Sequence, residues 1–442
     1  MHTQIEKYRI LNPLGFVSCL CAYMLGVCVR ASMLGVGERM PGVNGAYSPV
    51  QVRSLLERGA LGLPDYPLMF AIHAGIAAII HKVTGLALEP SIVLAVKTCV
   101  ALLPPLAAIP VFILCRRWCV RAGCPRSRLP FIAATMASVG APFILMTGNF
   151  DKNALALVWL AALLLALHKY MERRSAGSHA ATTLFLVLLG LTHIGTFTVG
   201  LLLWGCVMAV FVMQPSAPPL RVTVPAIAVT ILAVAVAEGF VFWKFDPARI
   251  GRLLEAMANP FAFAFKQSGP APPMKFALLD VVLVTVHLGA LGGLAALVFR
   301  TVNKNRSRLS NADTALIYGS VIAIVFITGP WIMNDTSPRL IFIAVLPSIV
   351  AGMFTVIHHA PGRTRRVLVA IGILIMIVPG LLQGVFGGWR ILSDEAYADL
   401  KASSVHIAHP ERTLVVAMHG MEWDVAWVLH TRVALASAVR AS

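Results

Sequence analysis

Long apolar segments recur along the whole chain, and they limit its fold more than any other feature of the sequence. One crossing of a bilayer core by a helix needs roughly 20 apolar residues. With 58% of its 442 residues hydrophobic and only 12% charged, the chain cannot cover a water-facing surface. We therefore predict an all-α polytopic membrane protein with apolar segments at 11–34, 67–83, 91–115, 129–147, 154–168, 181–192, 195–213, 222–242, 276–299, 314–330, 340–357 and 367–386.

Basic residues are concentrated in a few short connections between these segments. Lys and Arg total 36 against 19 Asp and Glu, which gives a net charge of +17. The connections 116–128, 169–174, 300–308 and 363–366 are dense in Lys and Arg, as is the N-terminus with Lys7 and Arg9. The positive-inside rule places such segments in the cytoplasm. The charge surplus therefore indicates orientation in a membrane, and no nucleic-acid partner is expected.

The remaining loops define the opposite side of the membrane: 35–66, 148–153, 243–275, 331–339 and everything after Gly387. The basic loops lie on one side of the membrane only if the segment 67–115 crosses it an odd number of times. Either one helix of this segment lies shallow in the membrane, or Pro104 and Pro105 break the second helix. The run 181–213 is interrupted at 192–196, which predicts two helices joined by a turn sunk below the outer surface. The prediction is about 11 net spans, with the N-terminus inside and the C-terminus outside. Segment 11–34 is expected to be an uncleaved signal anchor.

Two domains are expected, a transmembrane domain over 1–387 with outer loops 35–66 and 243–275, and a small extracytoplasmic α/β domain over 388–442. In the first outer loop, a Ser48 cap, Pro49 and a capping box with Gln51 predict a surface helix that ends at Gly59. Loop 243–275 repeats this start at Asp246. The tail has two helix-like stretches around an extended 413–417.

The outer loops resemble those of the GT-C superfamily of integral-membrane glycosyltransferases. This superfamily includes protein mannosyltransferases, aminoarabinose transferases and oligosaccharyltransferases. The resemblance rests on GVNGAY at 42–47, the helix VRSLLERGALGL, PDYPL at 64–68, GNFDKN at 148–153, the turn 191–193 and the loop 335–339. In organisation it extends over roughly residues 10–360.

The resemblance implies an inverting membrane glycosyltransferase of the hexosyltransferase type. It would move a sugar from a polyprenyl-phosphate donor to a glycan, lipid or protein acceptor on the outer face. The first loop of this superfamily usually presents an acidic general base, but this chain has Asn44 there. An amide orients a hydroxyl without taking its proton. Either Asp65 or Asp151 supplies the base, or the activity has been lost or changed.

Each candidate residue has a structural interpretation beside the functional one. For the catalytic candidates Asp151, Asp65 and Asn44, the alternatives are helix capping for the two acids and turn formation for the amide. For the donor-phosphate candidates, the alternatives are closure of the interhelical turn for His193 and snorkelling to lipid headgroups for Arg339. Lys152 is the third donor-phosphate candidate. No cofactor is expected, although Asp151 could instead hold a divalent ion.

A second function remains open, a non-catalytic binder or flippase of lipid-linked saccharides in cell-envelope polysaccharide assembly. Asn44 favours it, while the sparse ionisable residues within the spans (Arg30, Lys97, Glu238 and Asp280) disfavour a polar flipping pathway. Both functions belong in the inner (cytoplasmic) membrane, among membrane lipids and with the active face extracytoplasmic. The eight cysteines lie in apolar runs or in an Arg-rich loop, which implies no disulfide framework.

Overall fold

The chain folds almost entirely into helices. The computed structural model describes residues 13–35, 37–214, 219–247, 294–305, 309–328, 337–358, 362–418 and 420–435. Up to residue 212 the α-helices are α1 (Pro13–Leu34), α2 (Tyr47–Arg58), α3 (Leu68–Thr84), α4 (Leu88–Leu102), α5 (Ala108–Arg121), α6 (Leu129–Val139), α7 (Ala141–Leu145), α8 (Asp151–Arg173), α9 (Ala176–Thr192) and α10 (Ile194–Val212).

The second half continues in the same way and ends in a small sheet. Its helices are α11 (Leu220–Phe245), α12 (294–305), α13 (Asn311–Ile327), α14 (Ser337–His358), α15 (Arg363–Gly372), α16 (Val378–Phe386), α17 (Asp394–Ser403) and α18 (Glu422–Leu429). A π-helical turn, Ile373–Ile377, joins α15 to α16. Strands β1 (Leu414–Ala417) and β2 (Arg432–Leu435) pair in parallel around α18.

Many of these helices are apolar enough to cross a membrane. Within the described ranges, six stretches also have the length to do so: Pro13–Leu34, Leu88–Arg121, Asp151–Arg173, Ile194–Val212, Arg221–Phe245 and Arg363–Phe386. Shorter apolar helices are Leu68–Thr84, Leu129–Leu145, Ala176–Thr192, Asn311–Ile327 and Phe342–His358. The prediction of an all-α polytopic membrane protein is confirmed. The number of net spans and their orientation stay predictions.

Both predicted interruptions occur. Pro104 and Pro105 lie in a 3₁₀ turn, Pro104–Ala107, between α4 and α5, because proline provides no backbone donor for a continuous helix. The extended residue His193 separates α9 from α10. Whether 67–115 makes an odd number of crossings stays a prediction.

Helix α8 is the centre of the packing. It is apolar on all sides, and most of its residues are buried, as expected for a helix surrounded by others. It packs against α5, α9, α10, α13 and the Pro104–Ala107 turn. The N-terminal end of α8 follows the loop 148–150, and His168 and Glu172 lie near its C-terminal end.

Two buried cations satisfy backbone carbonyls where helices break. Arg30 of α1 donates to the carbonyl oxygens of Ser138 at 2.6 Å and Phe143 at 3.4 Å, on either side of the junction between α6 and α7. Lys97 of α4 donates to the carbonyl oxygens of Gly35 at 3.1 Å and Gly37 at 2.8 Å, just after α1 ends. Within an apolar bundle, these bonds compensate the unpaired carbonyls of interrupted helices.

The start of α2 differs from the prediction. The helix begins at Tyr47 rather than after Ser48, and its N-cap, Ala46, makes no side-chain cap bond. Gln51 forms no capping box, because its amide is committed elsewhere. It donates to the carbonyl of Leu63 at 3.1 Å and accepts from the Leu63 amide at 3.0 Å. The predicted end is confirmed, with Gly59 at φ 69°. In the second loop, Asp246 follows α11, and the predicted helix after it lies outside the described residues.

The C-terminal α/β unit, residues 394–435, lies on the polar face of α2. Arg53 of α2 donates to the carbonyls of Ala426 and Trp427, both at 2.8 Å, and its guanidinium lies 4.7 Å from the Trp427 ring centroid. Arg39 donates to Asp394 at 2.6 Å and lies over the Tyr397 ring. Arg53 is therefore buried under protein, not solvated at a membrane surface. That this unit is extracytoplasmic stays a prediction.

At one end of the bundle, a network of polar side chains joins α5, α8 and α13. Asp313, 1% exposed, accepts from Trp118 at 2.7 Å and Arg121 at 2.9 Å, and lies 2.8 Å from His168 Nε2. It also accepts from Ser310 at 2.6 Å within a capping box. Side chains from three helices thus meet around one buried carboxylate.

Replacing Asp313 with Ala should strongly destabilise the protein, because Arg121 and His168 would keep their burial and lose their acceptor. Removing one partner of a buried ion pair costs about 3–5 kcal/mol. The measurement is the free energy of unfolding of the full chain in detergent. Asp399→Ala, at an exposed position of α17, is the matched control and should change little. Equal stability of both variants would contradict a structural role for the network.

Candidate active site

The two loops that carry the predicted site, 35–66 and 148–153, contact each other directly. The amide of Asn44 donates to the carbonyl of Gly148 at 3.2 Å, and the amide of Val43 donates to Asn149 Oδ1 at 2.9 Å. Gly148 has φ 73°, and a Cβ there would collide with the carbonyl of Pro41. A glycine at 148 therefore permits the close approach of the loops.

Asn44 links three segments of the chain. Its Nδ2 donates to the carbonyl of Asn149 at 2.8 Å, and its Oδ1 accepts from the indole of Trp423 in α18 at 3.2 Å. The side chain thus connects the first loop, the second loop and the C-terminal unit. This arrangement gives Asn44 a defined structural role, in keeping with the turn interpretation. A catalytic role for it stays untested.

Asp65 lies in the short segment between α2 and α3 and is 4% exposed. Its Oδ2 accepts hydrogen bonds from the Tyr47 hydroxyl and the Lys152 ammonium, and its Oδ1 accepts from the Tyr66 amide at 2.8 Å. Burial alone would raise the pKa of Asp65, but the Lys152 ammonium, the Tyr47 hydroxyl and the Tyr66 amide together hold it below its ordinary value. The carboxyl is therefore ionised at neutral pH.

Lys152, in the first turn of α8, supplies the positive charge beside this carboxylate. Its ammonium lies 5.3 Å from the ring centroid of Tyr47 and 5.9 Å from that of Phe70, within cation–π range. Tyr47 in turn packs edge-to-face against Trp423 at 4.5 Å between centroids. The Lys152 side chain is 22% exposed. An anion approaching the site can thus reach the ammonium, while the carboxylate lies deeper.

Asp151 is anchored separately from its neighbour Lys152. Its Oδ1 accepts from the backbone amide of Gly148 at 2.8 Å, and its charge interacts with Arg30 of α1. The residue is 8% exposed. Its contacts therefore stabilise the loop before α8, and the structure joins Lys152, rather than Asp151, to Asp65.

The remaining predicted residues, His193 and Arg339, are not among the contacts of the Asp65 and Lys152 pair that the structure describes. His193 caps α10, since its Nδ1 accepts from the Thr196 amide at 3.2 Å. The preceding Thr192 accepts from Trp159 at 3.1 Å, and Trp159 packs in the same apolar cluster as Phe70. The turn therefore supports one wall of the site. The side chain of Arg339 lies outside the described residues.

Sequence reasoning missed Tyr47, Phe70 and Trp423 as members of the site. Tyr47 is part of the GVNGAY motif, so the resemblance pointed to it without giving it a role. Phe70 and Trp423 had no separate signal, because apolar and aromatic residues are frequent in such helices. Trp423 reaches Asn44 across 379 positions of sequence, which no local pattern encodes.

The described residues offer no clear metal site. No group of three His, Cys, Asp or Glu among them is arranged to hold an ion. At Asp65 the Lys152 ammonium already contacts the carboxylate oxygen that a cation would bind. These donors do not fit a divalent ion in this arrangement.

The similarity of this chain to known proteins lies in its fold. No protein-family model and no curated protein matches the chain. An oligosaccharyltransferase from Archaeoglobus fulgidus, solved with Zn and sulfate, is similar to this chain, with a TM-score of 0.57 and 15% sequence identity. The match covers 94% of this chain and 62% of the oligosaccharyltransferase chain. This chain thus spans less than two thirds of that enzyme.

Two structures of ArnT from Cupriavidus metallidurans are also similar. The apo form has a TM-score of 0.54 and 12% identity, and covers 96% of this chain and 84% of its own. The form bound to undecaprenyl phosphate has a TM-score of 0.52 and 12% identity, with 96% and 86% coverage. ArnT and the oligosaccharyltransferase are both GT-C glycosyltransferases. The chain therefore has the GT-C fold that its outer-loop motifs resemble.

Proposed function

We propose that this protein is an inverting glycosyltransferase that moves a sugar from a polyprenyl-phosphate donor to an acceptor hydroxyl at the extracytoplasmic face of the inner membrane. The observation that carries the proposal is the buried Asp65 carboxylate in contact with the accessible Lys152 ammonium. A base and an anion-binding cation are the two charges that this transfer requires. The GT-C fold and the undecaprenyl phosphate bound to ArnT support the donor class.

Asp65 is assigned as the general base. While Lys152 contacts it, the carboxylate is ionised and a weak proton acceptor. An anionic donor phosphate competes for the ammonium, and a carboxylate that loses its counter-ion in a buried site gains proton affinity. Donor binding would thus activate the base at the moment when the acceptor is in place.

The transfer is then a single displacement. The acceptor oxygen attacks the anomeric carbon opposite the phosphate, the bond between that carbon and the phosphate oxygen breaks, and Asp65 takes the hydroxyl proton. Lys152 neutralises the departing polyprenyl phosphate. Attack from the opposite face inverts the anomeric configuration. We assign Arg339 as a second cation for the phosphate on the basis of its place in the sequence, and Asp151 as support for the loop.

Asp65→Asn should lower the turnover number by 10²–10⁴, approximately the contribution of a general base. Asp151→Asn is the matched control, because an amide oxygen can still accept a hydrogen bond from Gly148. Its turnover number should fall far less than that of Asp65→Asn. The assay is transfer from a panel of radiolabelled undecaprenyl-phosphate sugars in proteoliposomes. If sugar crosses the membrane or binds while every glycosyl bond stays intact, the protein is a flippase or binder. If the turnover number falls more in Asp151→Asn than in Asp65→Asn, the general base is misassigned.

Lys152→Met should weaken the dependence of stability on pH that Asp65 confers. In the wild type the pKa of Asp65 lies below its ordinary value, so its contribution to stability is present at neutral pH and is lost as pH falls through that pKa. Without the ammonium, only the Tyr47 hydroxyl and the Tyr66 amide oppose the effect of burial, so the pKa of Asp65 rises and acidification removes less stability.

The measurement for Lys152→Met is the midpoint of thermal unfolding against pH, with Lys152→Arg as the charge-preserving control. We expect acidification to lower the midpoint of the wild type and of Lys152→Arg relative to that of Lys152→Met. The donor KM should rise in Lys152→Met alone. Parallel pH curves for all three proteins would refute the ion pair as a determinant of the ionisation of Asp65.

A further inference from the structure

We propose that Cys119 and Cys124 form a redox-active dithiol, in which Cys124 is the attacking thiol and Cys119 the resolving thiol. The pair lies where α5 ends, near the network around Asp313 and on different elements from Asp65 and Lys152. The proposal is therefore independent of the proposed function.

The helix terminus brings the two cysteines together. Helix α5 ends in a Schellman motif, since the amide of Cys124 donates to the carbonyl of Cys119 at 2.8 Å and that of Gly123 to the carbonyl of Val120 at 3.1 Å. Gly123 has φ 73°, as the motif requires. In this motif, the side chains at the two positions occupied by Cys119 and Cys124 frequently contact each other.

The contacts of the thiols match that geometry. The Cys124 side chain packs against the apolar cluster that contains Cys119, and each thiol is close enough to influence the other. The amide of Ser127 donates to the carbonyl of Cys124 at 3.1 Å, which fixes the turn. Both cysteines are reduced, Cys119 is buried and Cys124 is partly exposed. The exposed member can meet a reagent, while the buried one can react only with its neighbour.

The surroundings favour a thiolate at Cys124. Interaction with the Cys119 thiol is the main cause that lowers its pKa, burial opposes it, and the charges of Arg365 and Arg116 add to the lowering, so that the pKa is about 6. Arg365 is held in place by bonds to the carbonyls of Val356 at 3.1 Å and Ile357 at 2.8 Å, at the end of α14. A partly exposed thiol among fixed cations is the environment of a reactive cysteine.

The reaction is thiol–disulfide exchange with a low-molecular-weight disulfide. The Cys124 thiolate attacks one sulfur of that disulfide, which forms a mixed disulfide and releases one small thiol. Cys119 then attacks the Cys124 sulfur, forms the intrachain disulfide and releases the second small thiol. Two protein thiols are oxidised and one small disulfide is reduced to two thiols.

Alkylation of the full chain in detergent tests the reactivity of Cys124. At pH 6, iodoacetamide should modify Cys124 on the order of tenfold faster than it modifies reduced glutathione, a peptide thiol in solution, measured by mass spectrometry. The glutathione thiol is the reference, and the test needs no substitution. Equal rates for Cys124 and glutathione would overturn the proposal.

Oxidised glutathione tests the resolving step. The wild type should end in the intrachain disulfide, whereas Cys119→Ser should stop at glutathionylated Cys124 and Cys124→Ser should stay reduced. Gly123→Ala keeps both thiols but strains the turn, and it should close the disulfide more slowly than the wild type. A wild type that stops at the mixed disulfide, or an intrachain bond to another cysteine, would refute the assignment.

Discussion

The burial of α8 is the constraint on which the rest of the structure depends. A helix that is apolar on all sides must be surrounded, and neighbouring elements of the described chain pack around it. Polar groups are then confined to its ends, where Lys152 pairs with Asp65 and His168 contacts Asp313. Because the helix between them is rigid and close-packed, the candidate site and the Asp313 network are held at a fixed separation on opposite ends of one element.

The two ends use their charges differently. Asp313 is surrounded by side chains from α5, α8 and its own capping box. Its charge therefore stabilises the contact between these helices. Asp65 is also buried, but among the described residues Lys152 is the one cation that contacts it, whereas Asp313 contacts both Arg121 and His168. Displacing one side chain is therefore enough to free the Asp65 carboxylate for chemistry, but not the Asp313 carboxylate. This difference in the number of partners distinguishes the candidate site from the structural network, although both are buried ion pairs.

The features that sequence predicts well here are those that arise from local or periodic causes. Apolar segments, the breaks at Pro104 and His193, and the end of α2 at Gly59 all follow from residue type and spacing. The capping box at Ser48 fails because Gln51 finds a better partner in Leu63, twelve positions away. The sequence indicates Asp65 and Lys152 as separate candidates, but their pairing across 87 positions depends on tertiary packing. The resemblance supplied candidates, and only the structure supplied their partners.

The C-terminal unit connects this packing to the site. Arg53 and Arg39 attach it to the segment around α2 through bonds to backbone carbonyls as well as side chains, which makes the attachment tolerant of side-chain variation in the tail. Trp423 then lies against Tyr47, whose hydroxyl donates to Asp65. Tyr47 has little freedom to turn away while Trp423 is in place, so the orientation of the Asp65 carboxylate depends on a unit far away in sequence. The small α/β unit is therefore part of the architecture of the site rather than an independent appendage.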